Sequence, residues 1–216
     1  MSYKVDLHTH SYGSPDGALR AAEYRRKLES GALDFIAITD HDRIDSALQI
    51  RGELDKLGDR IIIGEEISTA DGELIGLYLT DLVPAGLSAV ETTQAIRGQG
   101  GLVYVPHPFE TVRSGMPEAV LGSIAEDVDI VETYNGRAAF QDCGAAATAW
   151  AEAHDKPVAA SSDAHGRIGW GRTYSELAEP PTRDNLARLL DGATYGRSRV
   201  GIGILYPKLN RIRKLF

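Results

Sequence analysis

The segment Val5-Asp6-Leu7-His8-Thr9-His10 sets two imidazoles one residue apart at the end of a short apolar stretch, and Asp16 follows in the next loop. A core strand gains nothing from such a pair, because each ring brings a donor and an acceptor that must be satisfied once buried. The feature recurs along the chain. Asp40-His41, Glu65-Glu66, His107, Glu132 with Asn135, and Asp163 with His165 each lie at or near the end of a segment rich in apolar and β-branched residues. Neutral imidazole and carboxylate are common ligands of zinc, iron and manganese. In extended backbone, residues i and i+2 point the same way. His8 and His10 can therefore grip one ion, and Asp163 with His165 can do the same from another strand.

Each residue alone has a plainer explanation. His107, before Pro108, can be a core histidine satisfied by carbonyls. Asp163 can cap a helix. Glu65 and Glu66 can be a solvated pair. All of them together, at one end of one sheet, point to a site for cations.

The elements that must present them alternate. Residues 3–8, 33–41, 60–69, 101–109, 128–135 and 156–165 read as strands, as continuous apolar runs. Residues 72–79 read as a further strand, reached through a turn at Asp71-Gly72, and 173–179 as a short one. Helical spacing covers 18–31, 43–58, 88–101, 116–127, 138–155 and 182–192. Ser88 and Glu91 have capping-box spacing. Strand–helix alternation implies parallel strands buried on both faces, in a barrel or an open doubly wound sheet. Active sites of such folds lie at the carboxyl ends of the strands, where five of the six histidines fall.

Composition bounds the rest. The 216 residues suffice for one large domain, with 43% hydrophobic and 25% charged residues. No apolar run approaches the roughly 20 residues that span a bilayer, so no membrane association is expected. Cys143 is the single cysteine, which excludes an internal disulfide and, with no visible leader, fits a cytoplasmic location. A net charge of -8 argues against a general nucleic-acid-coating role. The last residues, 196–216, form a basic tail expected to be a terminal helix packed on the main domain. A basic amphipathic segment touching nucleic acid, membrane or a partner is the alternative. Trp150 and Tyr24 read as packing residues, and His154 as structural, near a helix end. Oligomeric state is not legible.

The segments "DLHTHSYGSPDG", "IAITDHD", "GEEIS", "VPHPF" and "ASSDAHG" resemble, in order, those of the PHP family, named for polymerase and histidinol phosphatase. The resemblance covers roughly residues 3–170. It implies an α/β fold, a distorted (β/α)7 barrel like a TIM barrel with one unit fewer, over residues 1–195. It also implies two or three divalent ions (zinc, manganese or iron) and hydrolysis of a phosphomonoester or phosphodiester by metal-activated hydroxide. By resemblance His8, His10 and Asp163 hold the first ion, with Glu66 rather than Glu65 as bridging carboxylate. Asp16, His41 and His165 hold the second, and His107 with Glu66 the third. Asp40, next to a ligand, orients it through a hydrogen bond. Many relatives have a further histidine after the bridging glutamate. Here "STADGELIGLYL" has none, so Glu73 is either a substitute carboxylate or an exposed turn residue.

In that scheme Asp163 accepts a proton and His107 stabilises the leaving oxygen. Of Arg113, Arg137, Arg167 and Arg172, all just past strand ends, Arg113 and Arg137 are favoured to bind phosphate through their planar forks. The substrate is expected to be a small phosphorylated compound or a short oligonucleotide. Two other readings compete: an amidohydrolase-type enzyme, disfavoured by "ITDHD" and "SSDAH", and a non-catalytic metal-binding scaffold or regulatory module, disfavoured by the retained ligand set.

Overall fold

A computed structural model describes residues 2–138 and 141–215. Its strands are β1 (Tyr3–Asp6), β2 (Phe35–Ile38), β3 (Ile61–Ser68), β4 (Glu73–Leu77), β5 (Leu102–Val105), β6 (Ile130–Asn135), β7 (Val158–Ser161), β8 (Tyr174–Leu177) and β9 (Thr194–Gly196). The α-helices are α1 (Ala21–Glu29), α2 (Asp45–Glu53), α3 (Ala89–Gly98), α4 (Glu118–Ser123), α5 (Gly144–Ala153), α6 (Leu186–Leu190) and α7 (Tyr206–Arg213).

All nine strands form one sheet in the order β7-β6-β5-β4-β3-β2-β1-β8-β9. It curls until its first and seventh strands meet, which makes a nearly closed, seven-stranded barrel. β1, β2 and β3 pair in parallel, as do β5, β6 and β7. β4 runs antiparallel to both neighbours. The reason is chain length: only four residues separate Ser68 from Glu73, whereas a parallel return needs a crossover of about a dozen. At the seam, Ser162 donates to Asp6 through its backbone N–H (2.9 Å) and its hydroxyl (2.5 Å). Thr9 and Ala164 form a parallel bridge just above. β8 lies antiparallel on the outer edge of β1 and extends the sheet past the seam.

Two apolar clusters explain why the strands read as unbroken runs. Val5, Ala37, Ile62, Tyr104, Ile130 and Ala159 fill the barrel interior together with Leu186, Leu189 and Leu190 of α6. Their sequence neighbours Ile36, Ile61, Ile63, Val103, Val105 and Val131 face the helices, against residues such as Tyr24, Ile50, Ile96 and Trp150. Burying each of the valine, leucine and isoleucine side chains among them contributes about 1.5–3 kcal/mol.

The helices are shorter than their periodicity suggests. The 43–58 stretch stops at Glu53, and Asp55, at φ 53°, turns the chain into a 3-10 segment. The 116–127 stretch is helical over Glu118–Ser123 and then tightens likewise. Of the 138–155 stretch, residues 139 and 140 lie outside the described residues and α5 begins at Gly144. The capping box at α3 forms as its spacing predicts: Ser88 Oγ accepts from the Glu91 N–H, and Glu91 accepts from the Ser88 N–H.

Candidate metal centre

The carboxyl ends of the barrel strands converge on a polar cavity of about 320 Å³, open to solvent beside α7. Loops just past β1 and β2 bring His8, His10, Asp16 and His41; β3 brings Glu66; β4 brings Glu73; loops past β5 and β7 bring His107, Asp163 and His165. Period-two geometry decides between the adjacent glutamates. Glu66 points inward, within 3.1 Å of His10 Nε2 and His107 Nε2 and 3.3 Å of His8 Nε2 and His41 Nδ1. Glu65 points to the other face and accepts from the Val83 N–H at 2.9 Å.

Among the described residues, four groups of donor atoms are close enough to hold an ion: His10, Asp16, His41 and His165; His8, His10 and Glu66; His8, His107 and Asp163; and His41, Glu66 and Glu73. This grouping differs in detail from the one the resemblance implies. His10 also stands with the Asp16 set, and His41 also stands with Glu66. Glu73 is not an exposed turn residue. Its carboxylate turns inward, 3.8 Å from His41 Nδ1 and 3.9 Å from His107 Nε2.

Two of the imidazoles are aimed by carboxylates behind them. His8 Nδ1 lies 3.2 Å from Glu132 Oε1, which leaves Nε2 facing the cavity. Glu132 also accepts from Tyr104 and from the backbone N–H of His107, each at 2.8 Å. His10 Nδ1 meets Ser14 Oγ at 3.1 Å, and that hydroxyl donates to Asp40 at 2.9 Å. The His41 backbone N–H also donates to Ser14 Oγ, at 3.0 Å. Asp40 thus acts on the ring of His10 through Ser14, rather than on the ring of its neighbour His41. Ion-binding histidines commonly donate their second ring nitrogen in this way.

The electrostatics match crowded ligands. Burial works against charge on His10, yet hydrogen bonds to Asp163 and Glu66 push it up to about 9. Burial would raise Glu66, but His8, His41 and bonds from His10 and His107 hold it well below the carboxylate range. Asp163 is likewise raised by burial and overruled by Arg137, His8 and His10. Glu73, desolvated and facing Glu66 and Asp163, is pushed up to about 9. Burial, His10 and Arg137 push His165 down to about 3. Asp16 Oδ1, His107 Nδ1 and His165 Nε2 are buried with no hydrogen-bond partner among the described residues. Buried polar atoms are seldom orphaned, and here they belong to oxygen and nitrogen donors suited to zinc, manganese or iron. The residues therefore fit divalent cations. Two of the residues with left-handed backbone belong to the cluster: His107 and Asp163 hold positive φ angles of 28° and 51°.

Both favoured arginines reach the cluster. Arg113 Nη1 donates to Asp163 Oδ2 and Asn135 Oδ1 at 2.7 Å, and its Nε donates to Glu110 at 2.8 Å. Arg137 Nη1 spans both Asp163 oxygens at 3.0 and 3.1 Å. Of the candidates named from the sequence, His8, His10, Asp16, His41, Glu66, Glu73, His107, Arg113, Arg137, Asp163 and His165 meet at this cavity and Asp40 stands behind it, whereas Glu65, His154, Arg167 and Arg172 do not line it. Sequence reasoning noted Glu132 and Asn135 at a strand end without giving them a role, and it left out Ser14 and Glu110 as supports and Asn210 and Arg211 of α7. Glu132 carried a signal, an acidic residue inside an apolar strand; the α7 residues carried none.

The model of the PHP domain matches residues 6–169. Uncharacterized protein MJ0417 of Methanocaldococcus jannaschii is 34% identical over 187 residues, 82% of this chain and 71% of that protein. A 5'-3' exoribonuclease of Haemophilus influenzae is 29% identical over 129 residues, 58% of this chain and 46% of the enzyme. A two-domain protein of Bacteroides vulgatus, containing a predicted PHP-like metal-dependent phosphoesterase, superposes with a TM-score of 0.73 at 20% identity, over 92% of this chain and 65% of that one. With the motif segments in order and the family match spanning most of its length, this chain belongs to the PHP-domain family.

Proposed function

We propose that the cavity hydrolyses a phosphomonoester or phosphodiester with two or three divalent ions (zinc, manganese or iron) held by His8, His10, Asp16, His41, Glu66, His107, Asp163 and His165, with Glu73 as a further ligand. The observation that carries this reading is the meeting of a cation-binding donor set with two arginine forks, Arg113 and Arg137, at one carboxylate, Asp163. Phosphate needs both kinds of partner, whereas an amide substrate leaves the forks without an anion. When bound, divalent ions would acidify water and offset phosphoryl charge.

The chain supplies the rest. Arg113 and Arg137 bind the non-bridging oxygens of the phosphoryl group and hold it against the donor cluster. Asp163, kept ionised beside them, receives the proton lost by the attacking water. His107 faces the same cavity and stabilises the leaving oxygen. Glu132 and the Asp40–Ser14 pair keep the His8 and His10 rings turned inward, so the donor set costs no reorganisation during the reaction. The exoribonuclease activity of the Haemophilus relative supports a phosphodiester-class substrate, and the net charge of -8 favours small compounds or short oligonucleotides over long polymers.

The test is release of p-nitrophenol from its mono- and bis-phosphate esters by zinc-, manganese- or iron-loaded protein, with His10→Ala as control. Turnover that disappears in His10→Ala, with the fold retained, is expected. Bound metal without hydrolysis of any phosphoester would show a scaffold instead.

A further inference from the structure

The terminal helix α7 does more than pack on the barrel. Asn210, on its buried side and only 3% exposed, donates through Nδ2 to the Asp16 carbonyl (2.7 Å) and the His165 carbonyl (3.1 Å). Those two carbonyls belong to loops at opposite ends of the family match, and each loop delivers a donor to the same four-residue group, His10, Asp16, His41 and His165. The next residue, Arg211, donates through Nη2 to Asp16 Oδ2 at 2.8 Å. The other oxygen, Oδ1, is left facing His165 Nε2 at 3.4 Å and His41 Nε2 at 3.8 Å, and it has no hydrogen-bond partner among the described residues. Lys214 Nζ adds a bond to the Tyr12 carbonyl, 2.7 Å away, in the loop that leads to Asp16.

We propose that α7 is a positioning element for one ion of the cluster, the one held by Asp16, His41 and His165. Asn210 staples the two ligand-bearing loops together. Arg211 divides the Asp16 carboxylate, engaging Oδ2 so that Oδ1 is presented to the ion. Removing the helix contacts leaves the His8–His10–Glu66 group intact, because Glu132 and the Asp40–Ser14 pair support that group and no α7 residue touches it among the described contacts. Partners of this kind commonly contribute 10- to 100-fold in metal affinity.

The proposal rests on the cavity being a metal centre, and the two are tested separately. Metal content of the wild-type protein, by elemental mass spectrometry after zinc, manganese or cobalt loading, tests the centre itself. Arg211→Ala and Asn210→Asp then test the helix, with Leu209→Ala on the same helix as control. Arg211 is 65% exposed in its side chain, so its removal should leave the fold intact even if Asn210→Asp does not. The expected result is a 10- to 100-fold weaker affinity for one ion, with the remaining ions held as in wild type and one component of the cobalt absorption spectrum lost. Arg211→Lys should restore part of that affinity. Unchanged affinity and stoichiometry in Arg211→Ala, or an equal weakening of every ion, would overturn the proposal. A wild-type protein that binds no metal would instead overturn the metal centre.

Discussion

Glu132 and His8 are 124 residues apart in the chain and meet at 3.2 Å, with no solvent access to either side chain. Burial would raise the Glu132 carboxyl, but His8 and then His107 hold it below its ordinary range. An ionised acceptor behind Nδ1 selects the tautomer in which Nε2 carries the free lone pair, the form that can bind a cation.

Glu132→Gln tests this relationship. The new amide would turn its NH2 either toward the His107 N–H and Asn135 Nδ2, which already donate there, or toward His8 Nδ1, where it competes with the ring proton. A mismatched buried pair costs about 1–3 kcal/mol. Thermal melts should show that loss, and metal titration should show affinity lower by about 10- to 100-fold. Wild-type affinity in the variant would mean that His8 needs no orienting partner.

Arg137→Ala should separate phosphate binding from metal binding. Loss of one preorganised donor to developing charge costs about 10²–10³ in rate. The expected outcome is a fall of that size in kcat/KM for aryl phosphates with metal content unchanged. Arg137→Lys should recover only part of it, because a point charge cannot reproduce the fork. Full activity in Arg137→Ala would remove this arginine from the substrate site.

Chelation should lower stability. Imidazoles and carboxylates are packed at the cavity in close contact, and a ligand that binds only the folded state at about 100 times its Kd adds about 2.7 kcal/mol. For a chain of this length that corresponds to a melting shift of roughly 5–10 °C. Differential scanning calorimetry before and after EDTA treatment measures it. An unchanged melting temperature would contradict the ion-binding reading.

Glu65 makes a pH prediction. Burial pushes its carboxyl up from the ordinary 4.5 to about 7, partly offset by the Val83 N–H. Its raised value means that the folded state holds this proton more tightly than the unfolded chain does. The contribution to stability is therefore fully present below pH 4.5 and is lost as pH rises through 7. The loss is on the order of 3 kcal/mol. In chelated protein, denaturant unfolding should show wild type losing ground to Glu65→Gln between pH 5 and 8. Parallel pH profiles for the two proteins would show that Glu65 is ionised throughout.

Residue type and period determined a large part of this protein. Unbroken apolar strands announced a sheet buried on both faces, because alternation is needed only where one face meets water. Imidazoles and carboxylates at strand ends marked the functional edge, and the four-residue link before Glu73 allowed nothing but a hairpin. Motif order pointed to the barrel family. Tertiary structure decided what depends on residues distant in sequence. It sent the Glu65 side chain out of β3 to the Val83 N–H, turned Glu73 inward, and routed Asp40 to His10 through Ser14. It also set Glu132 behind His8 and brought Asn210 and Arg211, in an unremarkable basic tail, onto the loops of Asp16 and His165. Local chemistry shows which side chains can bind a cation. Which of them share one, and what holds them there, follows only from how the closed sheet and the terminal helix fold over the same opening.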